Sequence, residues 1–90
     1  VEVRYHKKFL KDLADLPSDY RKKIEREVFE IFPGLKSWKE IPKAEKLQGF
    51  KNYFKIRFGD YRLGFRIEND NIVLERVLHR KEIYRYFPID

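Results

Sequence analysis

An α+β fold is predicted for this chain by the way its hydrophobic period changes. Apolar residues between 9 and 31 recur at helical spacing, those between 53 and 67 alternate at a period of two, and the two stretches do not interleave. The expected order is an N-terminal strand, a two-helix antiparallel hairpin, an antiparallel sheet and a short C-terminal helix, with the helices covering one sheet face. The 90 residues fit one domain spanning 1–90. A 42% hydrophobic share, with 8 Phe, 6 Tyr and 1 Trp, supplies a core despite 40% charged residues. There is no cysteine, and His6 and His79 lie too far apart in sequence to close a zinc site, so neither disulfides, metal nor cofactor are expected. No run approaches the ~18 apolar residues of a membrane span. No basic-then-apolar leader opens the chain, and a cytoplasmic location away from membranes is expected.

Each element has a local cause. Val1, Val3 and Tyr5 alternate with Glu2 and Arg4, as in a short half-buried strand. Phe9, Leu10, Leu13 and Leu16 form a helical stripe that Pro17 ends. Ser18 is a suitable N-cap for a second helix carrying Tyr20, Ile24, Val28 and Ile31, which Pro33-Gly34 stops. Residues 35–46 are expected to form a loop ending near Leu47. The Asn69-Asp70 pair predicts a second turn, leading into a strand over Ile72–Leu78 in which Arg76 interrupts the alternation. Residues 80–87 have the spacing of a short terminal helix.

The hairpin register is fixed by the pattern. A two-residue Gly59-Asp60 turn with glycine first sets Phe58 against Tyr61, Arg57 against Arg62, Ile56 against Leu63, Lys55 against Gly64 and Phe54 against Phe65. Apolar residues then meet apolar residues, and a one-residue slip would bury charge.

The net charge of +6 is uneven, because Lys46, Lys51, Lys55, Arg57, Arg62 and Arg66 face Asp60 alone within residues 46–66. Such a field attracts a phosphate backbone or an acidic protein. The register puts Lys55, Arg57, Arg62 and Arg66 on one face, with Arg57 directly opposite Arg62. Like charges so placed are destabilising by a few tenths to ~1 kcal/mol. A bound anion would offset that repulsion; side chains splaying into water are the competing explanation. Gly64 opposite Lys55 is expected to leave a bare spot for a substrate backbone. Phosphodiester cleavage can run on such a face if cations stabilise the pentavalent phosphorane and position a 2′-hydroxyl. Arginine serves as the stabiliser. Lysine serves as base when neighbouring cations lower its pKa, and Lys55 occupies that position. His79 has the intrinsic pKa for acid or base work or simply closes a strand, and Tyr84 and Tyr86 either stack on a base or pack the tail.

Two longer runs, KLQGFKNYFKIRFGDYRLGF over 46–65 and RVLHRKEIYRYF over 76–87, carry a family likeness. The first is similar to a Lys-Leu-x-Gly step, a Tyr-(Lys/Arg)-(Ile/Val)-(Lys/Arg) strand and a Gly-x-Tyr-Arg turn, and the second to a closing His-Arg-x-x-(Ile/Val)-Tyr signature. Together with Phe9–Pro17 they resemble the RelE/ParE toxin superfamily over nearly the whole chain. The resemblance implies a RelE/ParE-like fold and a toxin of a type II toxin–antitoxin pair. In the RelE branch it implies ribosome-dependent cleavage of mRNA without metal, leaving a 2′,3′-cyclic phosphate and a 5′-hydroxyl. It implies catalytic roles for Lys55 as base, Arg57 where a second lysine commonly sits, Arg62 at the transition state and Arg80 on the phosphate. Tyr86 would stack on the target base, with Tyr84 the competing choice. Lys51, Arg66, His79 and Tyr84 are expected to contact substrate. The implied partners are an acidic RelB-like antitoxin, mRNA and the ribosome. Two rivals remain: a ParE-like inhibitor of DNA gyrase, and a toxin remnant without activity.

Overall fold

The computed structural model describes residues 1–89. Strand β1 (Val3–Tyr5) leads into α1 (Lys7–Ala14) and α2 (Ser18–Glu25), then β2 (Glu45–Lys46), β3 (Tyr53–Phe58), β4 (Tyr61–Glu68), β5 (Asn71–His79) and α3 (Ile83–Tyr86). The five strands lie in the order β1-β5-β4-β3-β2, and all pairs are antiparallel except β1 with β5. The first strand therefore forms one edge. The two helices then carry the chain across one face to the opposite edge. Their buried residues Phe9, Leu13, Ile24, Val28 and Phe32 pack on Ile56, Phe58, Leu63, Phe65, Ile72, Leu74 and Val77 of the sheet. The α+β arrangement is the expected one.

The hairpin pairs residue for residue as the pattern requires, from Phe58↔Tyr61 to Phe54↔Phe65. Gly59 takes φ +56°, while the second turn has φ +52° at Asn69 and +65° at Asp70. Both bends thus use left-handed residues whose twist suits antiparallel strands.

Several local expectations need correction. Ser18 is the first helical residue rather than the cap; Pro17 occupies the cap position and supplies no side-chain bond. His6 caps α1 by accepting the Lys8 N–H. The second helix does not keep an α pitch. It widens into a π-helical stretch over Arg26–Ile31 and closes with a 3₁₀ turn over Phe32–Gly34. The wider turn rotates the stripe by about one residue, so Phe32 is buried and Ile31 is 39% exposed. Residues 45–46, expected in a loop, pair with Lys55 and Phe54 as an edge strand. The terminal helix is limited to Ile83–Tyr86.

The interruption at Arg76 is a β-bulge. Gly64 pairs with Arg76 but Phe65 with Leu74, which leaves Glu75 as the extra residue. The bulge resets the alternation, so that Ile72 and Leu74 before it and Val77 after it all join the core.

Candidate functional site

The sheet has two faces, and the one away from α1 and α2 carries the charge. Alternation from the observed register places Tyr53, Lys55 and Arg57 of β3 on this outer face with Arg62, Gly64 and Arg66 of β4 and Val73, Arg76 and Leu78 of β5. Part of it is covered by the chain's own end. Ile83 and Phe87 form a second apolar cluster with Leu47, flanked by Tyr53 and Leu78. Phe87 lies directly over Gly64: a Cβ there would come within 2.7 Å of its ring. The bare spot expected at Gly64 is thus filled by an aromatic side chain, and glycine is required for that ring to approach the sheet.

This cover separates two kinds of cation. Arg66 is held by Glu68 and by Glu75, whose Oε2 lies 2.8 Å from the Arg66 Nε. Glu75 is 3% exposed, and its other oxygen accepts the Ile89 N–H at 3.1 Å. Arg76 is held by Asp12 of α1, with Nε–Oδ2 at 2.7 Å and Nη2–Oδ1 at 3.0 Å. The hydrogen bond to Glu68 is the main cause that raises the Arg66 guanidinium above its ordinary pKa, and the bonds to Asp12 do the same for Arg76. Both arginines are engaged by carboxylates and hold the bulge in place. Arg66, expected to contact substrate, is thus paired with two carboxylates while its side chain stays 32% exposed.

The same bond from Arg66, with its charge, holds the Glu68 carboxyl below the usual carboxylate range. A carboxyl depressed in the fold contributes stability above its unfolded pKa and loses it as pH falls through the folded value. Glu68→Gln is therefore expected to flatten the acid limb of a Tm-against-pH profile below about pH 4.5 while leaving Tm near neutrality within a few degrees. An unchanged acid limb would contradict the assignment.

The remaining cations lie toward the Gly59-Asp60 end. Among the described residues no carboxylate lies within ion-pair distance of Lys55, Arg57 or Arg62. Lys55 Nζ donates to the Tyr84 hydroxyl at 2.6 Å and lies 5.0 Å from the centre of its ring. Arg57 is exposed directly opposite Arg62. Arg62 Nη1 turns onto the Gly59 and Tyr61 carbonyls at 2.7 and 3.1 Å, which eases its repulsion from Arg57. Arg80 continues the β5 register one step past His79: its N–H donates to the Asp60 carbonyl at 2.7 Å, and its Nε stands 3.8 Å from Asp60 Oδ1.

The other expected site residues separate from this group. His79 pairs with Tyr61 and lies edge-on to its ring at 5.6 Å, on the helix side where Tyr61 meets Tyr20. Its Nδ1 accepts the Lys81 N–H at 3.1 Å, which leaves the proton of the neutral ring on Nε2. Tyr86 lies under Arg76, 5.3 Å from the guanidinium carbon, whereas Tyr84 meets Lys55. Positions 84 and 86 point about 200° apart around a helix, so only one tyrosine can share the cationic group. Lys51 is exposed in the 47–51 loop, which lines a shallow groove of its own with Lys46 and Phe50. A cleft of about 200 Å³ between α2 and the 41–43 loop shares only Arg57 with the cationic group.

Sequence reasoning missed Asp12 and Glu75, which decide which arginines are engaged. The break in alternation at Arg76 was their one trace. Among the described residues no three His, Cys, Asp or Glu side chains gather as a metal site, and no helix is long and apolar enough to cross a membrane.

Comparison with known proteins gives a consistent result. Residues 3–84 match the family model described as the ParE toxin of type II toxin–antitoxin system, parDE. The chain is 39% identical over 89 residues to Toxin RelE3 of Methanocaldococcus jannaschii, covering 98% of this chain and 100% of that protein. It is similar to the crystal structure of the RelB–RelE antitoxin–toxin complex from Methanococcus jannaschii, with 38% identity, a TM-score of 0.73, and coverage of 94% and 99% of the two chains. It is also similar to the RelBE2 toxin–antitoxin complex from Mycobacterium tuberculosis, with 27% identity, a TM-score of 0.67, and coverage of 88% and 96%.

Proposed function

The chain belongs to the RelE/ParE superfamily as a RelE-like toxin of a type II toxin–antitoxin system, and on that premise we propose that it is a ribosome-dependent endoribonuclease that cleaves mRNA. The observation that carries this reading is the cluster of Lys55, Arg57, Arg62 and Arg80 at one end of the outer face, beside an exposed tyrosine. The fold spends carboxylates on Arg66 and Arg76 but leaves three of these four cations without one, which suits a surface waiting for phosphate.

The reaction proceeds in line. The RNA 2′-oxygen attacks the adjacent phosphorus and gives up its proton to Lys55, which enters this step as the neutral amine. The bond to the 5′-oxygen breaks, and that oxygen takes a proton from water, leaving a 2′,3′-cyclic phosphate and a 5′-hydroxyl. Arg62 and Arg80 face the charge that builds on the phosphorane oxygens, where fixed donors contribute most. Arg57 adds field. Tyr84, 55% exposed and fixed by Lys55, offers its ring to an unpaired base. The ribosome supplies a single-stranded codon in a defined geometry.

The family-model match to a ParE toxin supports a second reading, inhibition of DNA gyrase by protein contact. Adding the purified chain to a reconstituted translation reaction and, separately, to a gyrase supercoiling assay tells them apart. Ribosome-dependent mRNA cleavage with unchanged supercoiling is expected; lost supercoiling with intact mRNA would overturn the nuclease reading.

A RelB-like antitoxin is the proposed partner, since the similar solved structures are toxin–antitoxin complexes. With a net charge of +6 on the toxin, the partner's covering segment is acidic. The complex is expected to weaken several-fold between about 0.05 and 0.5 M salt in a titration, as exposed ion pairs are screened. Affinity independent of salt would exclude contact through the charged face.

A further inference from the structure

We infer that Asp60 is a positioning residue for Arg80: its carboxylate holds the guanidinium at the turn while the site is empty and yields it to an RNA phosphate. The inference rests on the nuclease reading above. Asp60 is the single acid within 46–66 and sits at the tip of the cationic hairpin. The backbone bond from the Arg80 N–H to the Asp60 carbonyl, 2.7 Å, fixes the two residues opposite each other. Their side chains, by contrast, meet loosely, at 3.8 Å with 57% and 64% exposure.

That looseness is what the role requires. Arg66 and Arg76 face carboxylates that are 4% and 9% exposed, and releasing either would strand a buried charge. The Arg80–Asp60 pair is solvated and separates at almost no cost. A phosphate oxygen offers the guanidinium a stronger, charge-assisted partner than a carboxylate at 3.8 Å. The exchange keeps Arg80 beside Arg62, whose own guanidinium is held by the Gly59 and Tyr61 carbonyls of the same turn. One four-residue bend thus orients both arginines. Tyr20 supports it from below, since its hydroxyl occupies the space where a Gly59 Cβ would stand.

The test is a double-mutant cycle of Asp60→Asn with Arg80→Ala, with Glu45→Gln as a charge-matched control. Glu45 pairs with Lys55 across β2 and β3 and makes no ion pair with Arg80. Binding of a short single-stranded RNA is read by fluorescence anisotropy, and cleavage by kcat and KM in reconstituted translation. Asp60→Asn is expected to tighten RNA binding and lower KM about threefold with kcat nearly unchanged, because the competing anion is lost and the bound complex no longer uses the pair. In the Arg80→Ala background its binding gain should fall to that of Glu45→Gln, and Asp60→Glu should restore both parameters. A merely structural role would not lower KM while leaving kcat intact. Equal gains from Asp60→Asn with and without Arg80, matching Glu45→Gln, would overturn the inference. Wild-type chain that binds RNA but cleaves no mRNA would instead refute the nuclease reading, and the binding cycle would still decide the role of Asp60.

Discussion

Arg62→Ala is expected to reduce ribosome-dependent mRNA cleavage by about 10²–10³-fold, the usual effect of removing one fixed donor from a developing oxyanion. Among the described residues the guanidinium hydrogen-bonds only to the Gly59 and Tyr61 carbonyls, at the turn end of the hairpin. Its removal leaves no buried group unpaired, so thermal unfolding should shift by no more than a few degrees. Loss of activity without loss of stability is the signature of a group that acts on substrate. Arg62→Lys keeps the charge but not the planar fork that meets a phosphate with two parallel donors, and should recover only a small part of the rate. A cleavage time course with each variant, at equal folded concentration, checks both statements.

Asp12→Ala is expected to cost about 3–5 kcal/mol of stability. Asp12 accepts three hydrogen bonds, two from Arg76 and one from the Val77 N–H at 3.2 Å. Its side chain is 9% exposed and that of Arg76 14%, so alanine leaves a largely covered guanidinium and a backbone donor without their partner. Strand β1 pairs with β5 only from Ile72 to Leu74, so Asp12 ties α1 to the stretch beyond. The double replacement Asp12→Ala/Arg76→Met should recover much of the loss, because no charge then remains unpaired. Urea denaturation of the single and double variants measures the difference; equal loss in both would show that packing, not charge, dominates at this position.

What could be read from the sequence follows from how local each cause is. The hairpin register was legible because a two-residue turn and strict alternation admit one pairing, and Phe54 to Phe65 paired accordingly. The phase of the second helix was not, because a π-helical widening at 26–31 leaves no mark in a stripe counted at α pitch, and it exchanges Ile31 for Phe32 in the core. Edge strand β2 is two residues long, too short for any period to register. At the site, Lys55, Arg57 and Arg62 could be grouped from alternation alone. Arg66 shares their face but not their state, since its fate is set by Glu75, a bulged residue that only the three-dimensional pairing reveals. The family resemblance favoured Tyr86 over Tyr84 for stacking, whereas the short helix fixed through Ile83 and Phe87 turns Tyr84 toward Lys55 and Tyr86 toward Arg76. Gly64 appeared vacant because its covering residue, Phe87, lies far along the chain beyond β5.

The reading as a whole depends on the cationic end of the outer face acting on RNA phosphate. The most direct test compares the wild-type chain with Lys55→Ala/Arg62→Ala/Arg80→Ala in reconstituted translation, mapping mRNA ends by primer extension and identifying the 3′ terminus chemically. The wild-type chain should cut only ribosome-bound message and leave 2′,3′-cyclic phosphate ends, and the triple variant should leave the message intact while remaining folded. Undiminished cleavage by the folded triple variant would contradict the account.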